Sequence, residues 1–284
     1  MTASVSPGRR DPEALLSRAA IRPRTDRDQH FLTDARVLDR IPGYLTAADQ
    51  PEHILEIGPG TGALTDRLLS SERHVTAIEY DETLIQFLQD EFDAAIAADR
   101  LTLVGGDAVT VDWPAADCCI ANLPYSATSP LLFRLLRHGL PGVVMVQREV
   151  ADRLCAEVGT SAYGRLTVTA GYYAEIAIAE VVPPSAFTPP PAVASAVITI
   201  TPRPAPYPVA DPDRFADVVR AVFTQRRKTL RNALRNTTHL SGISAIEKVV
   251  DALDDALLRR RPATLAPAEF AALTASIVSI ETDG

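Results

Sequence analysis

Between residues 53 and 147 the chain alternates short apolar runs with amphipathic helical patterns, and this alternation limits its fold more than any other feature. Strand-like runs at 53–58, 74–79, 101–106, 118–122 and 142–147 are interleaved with helical patterns at 63–70, 82–92 and 129–138. Apolar strands joined by crossover helices predict a mostly parallel sheet covered by helices on both faces. A helix at 147–156, a helical or mixed segment at 163–173 and an apolar strand at 174–182 follow. Pro183 to Pro191 is too proline-rich for a helix or a central strand. A last strand, Ser195 to Thr201, is expected to pair antiparallel with its predecessor at the end of the sheet.

Open α/β sheets bind ligands at the carboxyl ends of their strands, and polar residues stand at those ends in series. The first strand carries Glu56 and runs into Gly58-Pro59-Gly60-Thr61-Gly62, then a helical pattern. Glycines at alternate positions let the backbone turn tightly and approach a ligand closely. The spacing differs from the dinucleotide fingerprint. The second strand ends in Glu79, where a carboxylate can accept both hydroxyls of a ribose. The third runs into Gly105-Gly106-Asp107, placing an acid to meet an adenine amino group. The fourth closes on Asn122-Leu123-Pro124-Tyr125. There the amide oxygen can accept one N–H of a planar amine, and the proline lets neighbouring carbonyls point at the second. Tyr125 offers a face for stacking. Taken singly, each acid serves as well as a helix cap or loop end, and the turn as an ordinary strand exit. Four such sites in series make coincidence a poor account.

The length of 284 residues allows one large and one small domain. The expected division is a mobile tail at 1–27, a ligand-binding catalytic domain at 28–204 and a helical domain at 205–284. A stiff proline-rich linker at 202–210 precedes helices at 211–224, 226–236, 243–256 and 267–280. No apolar run approaches a membrane span, and residues 1–30 lack an apolar signal core. Three cysteines have neither disulfide-frame nor zinc spacing, and no metal site is expected. These features point to the cytoplasm and away from a membrane partner.

A net charge of −8 argues at first against a polyanionic partner. Only Lys228 and Lys248 are lysines among 28 basic residues, a balance favoured by a high-salt cytoplasm or by GC-rich coding. The positive charge is nevertheless clustered. Gln225 to Arg235 holds Arg226, Arg227, Lys228, Arg231 and Arg235 and no acid. Read as one helix, Arg227, Arg231 and Arg235 fall at i+4 steps and form a basic stripe, with Leu230 and Leu234 turned inward. A solvated helix face weighs equally with a phosphate-binding one.

Taken together, these residues resemble the KsgA-type small-subunit rRNA adenine N6-dimethyltransferases from about Arg24 to the C-terminus. The resemblance lies in Gln29-His30-Phe31-Leu32, Glu56 to Gly62, Asn122 to Tyr125, Ala162 to Leu166, Pro183 to Pro191 and Phe223 to Asn232. It departs at Asp28, where the family usually has Gly. The resemblance implies a class I methyltransferase (Rossmann-like) α/β fold: a mostly parallel seven-stranded sheet with an antiparallel end pair, plus a small all-helical C-terminal domain. It implies that S-adenosyl-L-methionine is held by His30, Leu32, Gly58, Gly60, Glu79, Asp107 and Asn122. In the catalytic turn, Asn122 and the Pro124 carbonyl would accept the two N–H bonds of a target adenine. Tyr125 would stack on one face of that base and Phe187 on the other. Arg226, Arg227, Lys228, Arg231 and Arg235 would bind RNA.

The reaction so implied is N6,N6-dimethylation of two adjacent adenosines in the 3′-terminal helix loop of small-subunit (16S) rRNA, by a monomer acting on an immature subunit. Three other readings share part of this pattern. They are a large-subunit rRNA adenine methylase of the antibiotic-resistance type, a DNA adenine methylase, and an assembly factor whose binding outweighs its chemistry. The Phe187 and 225–232 blocks speak against the first, and the lack of a separate base-reading domain against the second.

Overall fold

The computed structural model describes residues 9–24, 29–45, 51–70 and 73–282. Among these, the expected alternation yields strands β1 (Phe31–Leu32), β2 (His53–Ile57), β3 (His74–Glu79), β4 (Leu101–Gly105), β5 (Cys118–Asn122), β6 (Gly142–Gln147), β7 (Ala174–Val182), β8 (Phe187–Thr188) and β9 (Ser195–Pro202). Seven of them form one sheet in the order β4-β3-β2-β5-β6-β9-β7. β2 runs parallel to both β3 and β5, β3 to β4, and β5 to β6. From β2 the chain builds outward to β4 and then crosses back to start again at β5. That reversal makes a crevice at the carboxyl ends of β2 and β5, where ligands of such sheets bind. β9 is antiparallel to β6, with Gly142 opposite Ile200, and lies between β6 and β7. The reversed strand is thus inserted one place in from the sheet's edge.

The helices are α1 (Pro12–Ala19), α2 (Ala35–Arg40), α3 (Ala63–Leu69), α4 (Glu82–Glu91), α5 (Asp93–Ala97), α6 (Thr128–His138), α7 (Arg148–Leu154), α8 (Arg165–Tyr173), α9 (Pro212–Thr224), α10 (Leu230–Asn236), α11 (Thr238–Ser241), α12 (Ile246–Ala252), α13 (Asp255–Arg259) and α14 (Pro267–Thr282). α6 shows why such segments fold as they do. Leu131, Leu132, Leu135 and Leu136 recur at helical spacing and are buried together, while Arg137 and His138 occupy the last turn, where the helix dipole favours cations.

By contacts the chain forms two compact units: residues 1–151 with 176–202, and residues 152–175 with 203–284. The boundary therefore differs from the expected break at 204. Residues 152–175 cluster with the helical unit because Tyr163 and Val168 are buried in its core, beside Phe215, Leu265 and Phe270, and Tyr163 Oη donates to the Leu265 carbonyl at 2.7 Å. The 203–210 stretch is more than a linker, since Tyr207 and Val209 pack on the same core.

Three further expectations are corrected. Residues 9–24 of the supposed mobile tail are ordered: Leu15 is fully buried in the core of the sheet unit. Arg10 pairs with Asp66 and Glu91 and lies over the Phe92 ring at 4.6 Å. Residues 1–8 and 25–28, including Asp28, lie outside the described residues. The helix expected at 226–236 starts only at Leu230, because Thr229 caps it and Gln225 to Lys228 form a turn closed by Lys228 N–H on the Gln225 carbonyl. The 243–256 helix likewise breaks into α12 and α13, where Asp254 caps the second piece.

Candidate active site

The loop between β2 and α3 sets the floor of the crevice. Gly58, Gly60 and Gly62 all have positive φ. At Gly62 a Cβ would sit 2.4 Å from Phe92 Cε2, which excludes a side chain, and at Gly60 it would press on the Phe31 ring at 3.1 Å in a backbone conformation that already favours glycine. Glu79, at the end of β3, accepts the Gly60 N–H at 3.2 Å and those of Tyr80 and Asp81 at 2.9 and 3.0 Å. One carboxylate thereby ties the glycine loop to the neighbouring strand. Burial raises its pKa, against the pull of those backbone donors.

Two adjoining cavities share Gly58, Glu79, Tyr80 and Pro124 as lining. The first is lined by Gln29, His30, Leu32, Glu56, Gly60 and Asn122, among others. The second, of about 220 Å³, is lined by Asp107, Ala108, Ile57, Ile78, Ser126 and Leu131, with Gly106 at its edge. All seven residues expected to hold the cofactor therefore face this pair of cavities. Asp107 uses Oδ1 to accept the Val109 N–H at 2.8 Å within its own turn. His30 donates Nδ1–H to the Pro189 carbonyl at 2.8 Å, which fixes its ring.

The Asn122–Tyr125 turn departs in part from expectation. The Asn122 side chain lines the first cavity and has no hydrogen-bond partner among the described residues. The Pro124 carbonyl, expected as the second acceptor, is already used by Thr128 Oγ1 at 3.0 Å and Ala127 N–H at 3.2 Å. The Leu123 carbonyl beside it accepts no hydrogen bond among the described residues, although its N–H donates to Met145. Tyr125 lines neither cavity. Its ring stands behind His30, centroids 6.0 Å apart and near parallel, with its hydroxyl 2.6 Å from Ser195 Oγ. Phe187 lines neither cavity either. Paired opposite Leu32 between β8 and β1, it is 3% exposed and belongs to the core, so burial has claimed the ring expected to close on a base.

Of two further lining residues, the sequence placed Glu56 only within the glycine-loop motif and did not single out Tyr80. Glu56 is 1% exposed, accepts from Thr65 Oγ1 at 2.7 Å and has its pKa pushed up to about 8, chiefly by burial and further by Glu79. An acid inside an otherwise apolar strand was the signal. Tyr80 is 51% exposed at the rim of both cavities, directly after Glu79.

The basic residues are dispersed. Arg226 is engaged by the Thr160 and Ser161 carbonyls, Arg231 by Asp255, and Arg235 by Glu247. Arg227 and Lys228 are exposed on the turn before α10, without an ion pair among the described residues. The continuous stripe does not form because Arg227 is outside the helix.

The sequence pattern of a family described as "Ribosomal RNA adenine dimethylase" matches residues 21–270. The chain belongs to the ribosomal RNA adenine dimethylase family. A relative of this rRNA adenine dimethylase in Natronomonas pharaonis, named "Probable ribosomal RNA small subunit methyltransferase A", is 54% identical over 275 residues, 97% of this chain and 100% of that one. A relative of the same name in Methanosarcina mazei is 43% identical, covering 89% and 93%. A crystal structure of a dimethyladenosine transferase from Plasmodium falciparum superposes with a TM-score of 0.72 at 27% identity, over 89% of this chain and 98% of that one. The 23S rRNA methyltransferase ErmE shares the fold at a TM-score of 0.62 and 24% identity, over 87% and 99%. The dimethylase is thus a class I methyltransferase fold, and none of its described helices is long and apolar enough to cross a membrane.

Proposed function

We propose that the protein dimethylates N6 of two adjacent adenosines in the 3′-terminal helix loop of small-subunit rRNA, using S-adenosyl-L-methionine and acting on an immature subunit. The observation that carries this reading is an unused acceptor, the Asn122 amide oxygen, on the wall of the first cavity beside Gly58 and Glu79. The small-subunit target is supported by the relatives' shared name.

The lining fits the cofactor. The Glu79 carboxylate suits vicinal ribose hydroxyls, and the apolar slot of Ala108, Ile78 and Leu131 suits a planar base with Asp107 at its edge. When bound, S-adenosyl-L-methionine supplies an activated methyl on a sulfonium that departs as a neutral thioether. Asn122 holds one amino hydrogen of the flipped adenine and the backbone of its turn the other; together they draw its nitrogen toward tetrahedral geometry and aim the lone pair along the transfer line. They also stabilise the charge that gathers on the nitrogen until one proton passes to water. For the second transfer only one N–H remains, and one of the two acceptors suffices. Tyr125 acts from behind His30, holding the turn and the cavity wall in register.

Feeding labelled S-adenosyl-L-methionine to the protein with immature small subunits, large subunits or duplex DNA tests this reading. Label confined to small-subunit adenosines is expected. Label in large subunits or DNA overturns the target assignment, and binding to small subunits without label overturns the catalytic one.

A further inference from the structure

The loop that carries Asp107 has little regular structure of its own, yet its carbonyls are captured from two sides. Arg134, on α6, donates Nη1–H to the Ala108 carbonyl at 3.0 Å and to the Val109 carbonyl at 2.8 Å. Trp113 donates Nε1–H to the same Ala108 carbonyl at 2.8 Å. The Arg134 guanidinium lies 4.7 Å from the Trp113 ring centroid, and His138, one turn further along α6, stacks near parallel on that ring at 5.3 Å. A guanidinium over an indole gains from the ring's negative face, and charged donors to carbonyls are stronger than neutral ones. Residues 107–111 add their own turn, with the Thr110 and Val111 N–H groups donating to the Asp107 carbonyl.

The same helix reaches the other half of the site. Thr128, at its first turn, donates to the Pro124 carbonyl, and Leu131, three residues before Arg134, lines the cavity beside Asp107 and Ala108. α6 therefore joins the catalytic turn to the Asp107 loop through two sets of side-chain bonds to backbone carbonyls.

We propose that Arg134 and Trp113 form a clasp that positions the Asp107–Val109 loop for the adenine end of the cofactor. This rests on the cofactor reading above. Both are positioning residues: they act through the loop and touch neither substrate nor reacting atoms. Without the clasp, the loop must be ordered when the nucleoside binds, and the cost falls on affinity.

The test uses the full chain and a thermodynamic cycle. Calorimetry measures Kd for S-adenosylhomocysteine and for 5′-methylthioadenosine, which lacks the amino-acid half, with wild type, Arg134→Met and Trp113→Phe. Arg134→Met is expected to weaken both ligands by the same factor, about tenfold, since the clasp acts on the nucleoside end alone. Trp113→Phe, which keeps an aromatic face but loses the N–H, is expected to weaken both about threefold, and it serves if Arg134→Met does not fold. Trp113 is the chain's one tryptophan, so its emission reports on the clasp directly. Its spectrum is expected to shift when S-adenosylhomocysteine binds wild type, and less in Arg134→Met. Unchanged Kd values in a folded variant, or a loss for S-adenosylhomocysteine that 5′-methylthioadenosine does not share, overturn the proposal. Failure of wild type to bind either ligand would instead overturn the cofactor reading on which it rests.

Discussion

The Tyr125 hydroxyl lies 2.6 Å from Ser195 Oγ, so the inserted antiparallel strand β9 anchors the aromatic of the Asn122–Tyr125 turn. Ser195 is fully buried and opens β9, opposite Gln147 of β6. Ser195→Ala removes this partner with almost no change in volume. A hydrogen bond of this kind is worth about 0.5–1.5 kcal/mol. We expect kcat to fall by up to about tenfold, with cofactor affinity within about twofold of wild type. Steady-state kinetics on immature subunits would check this, and an equal loss in both would show that Ser195 supports the whole crevice instead.

Glu56 predicts a pH dependence. Burial pushes its pKa in the folded protein up to about 8, whereas the ordinary value is 4.5. Between those values the native state holds a proton that the unfolded chain has released, so stability falls as pH rises. The contribution is complete below about 4.5 and lost by the time pH passes about 8. Glu56→Gln carries a neutral amide at every pH and should lack this slope. Melting curves of the ligand-free proteins are expected to diverge across that window, with wild type falling relative to the variant. Parallel curves would mean that Glu56 is charged in the native state.

Glu79 joins the glycine loop to β3 and faces both cavities. Its replacement by Ala removes a charged acceptor worth about 1.5–3 kcal/mol, or about ten- to a hundredfold in Kd. Calorimetry with S-adenosylhomocysteine is the check. Unchanged affinity would leave Glu79 a loop brace only.

The parallel sheet and the strand-end residues Gly58, Glu79, Asp107 and Asn122 that line the cavities were legible in the sequence because each strand end repeats one local rule, an apolar run followed by a small or polar turn, whereas His30 and Leu32 were named from the family resemblance alone. What was not legible depends on contacts distant in the chain. Leu15 is an unremarkable leucine until it meets the core, and Phe187 is indistinguishable from a stacking aromatic until β8 pairs with β1. The Pro124 carbonyl could not be excluded as an acceptor without seeing that Thr128 caps it. The basic run read as one helix because nothing in its apolar spacing separates Gln225–Lys228 from α10; only the Thr229 cap does.

That break changes the expectation for RNA docking. Arg231 and Arg235 are matched by Asp255 and Glu247, while Arg227 and Lys228 are exposed on the turn. Arg227→Gln with Lys228→Gln should therefore weaken binding to immature subunits more than Arg231→Gln with Arg235→Gln. It should also flatten the salt dependence by about 0.7–0.9 of a log unit per lost phosphate contact. Binding measured across a salt series distinguishes the pairs. Equal slopes in wild type and the 227/228 variant would make the turn a solvated surface.

The most direct test of the account is Asn122→Ala, because the Asn122 amide is the side chain assigned to the target adenine. Removing one preorganised polar contact at a reacting group typically costs about a hundredfold or more in rate. The measurement is single-turnover methyl transfer to immature small subunits, paired with calorimetry of S-adenosylhomocysteine on the same protein. The account predicts transfer slowed by about a hundredfold or more, with binding within a few-fold of wild type. Near-normal transfer by a folded Asn122→Ala protein would contradict it.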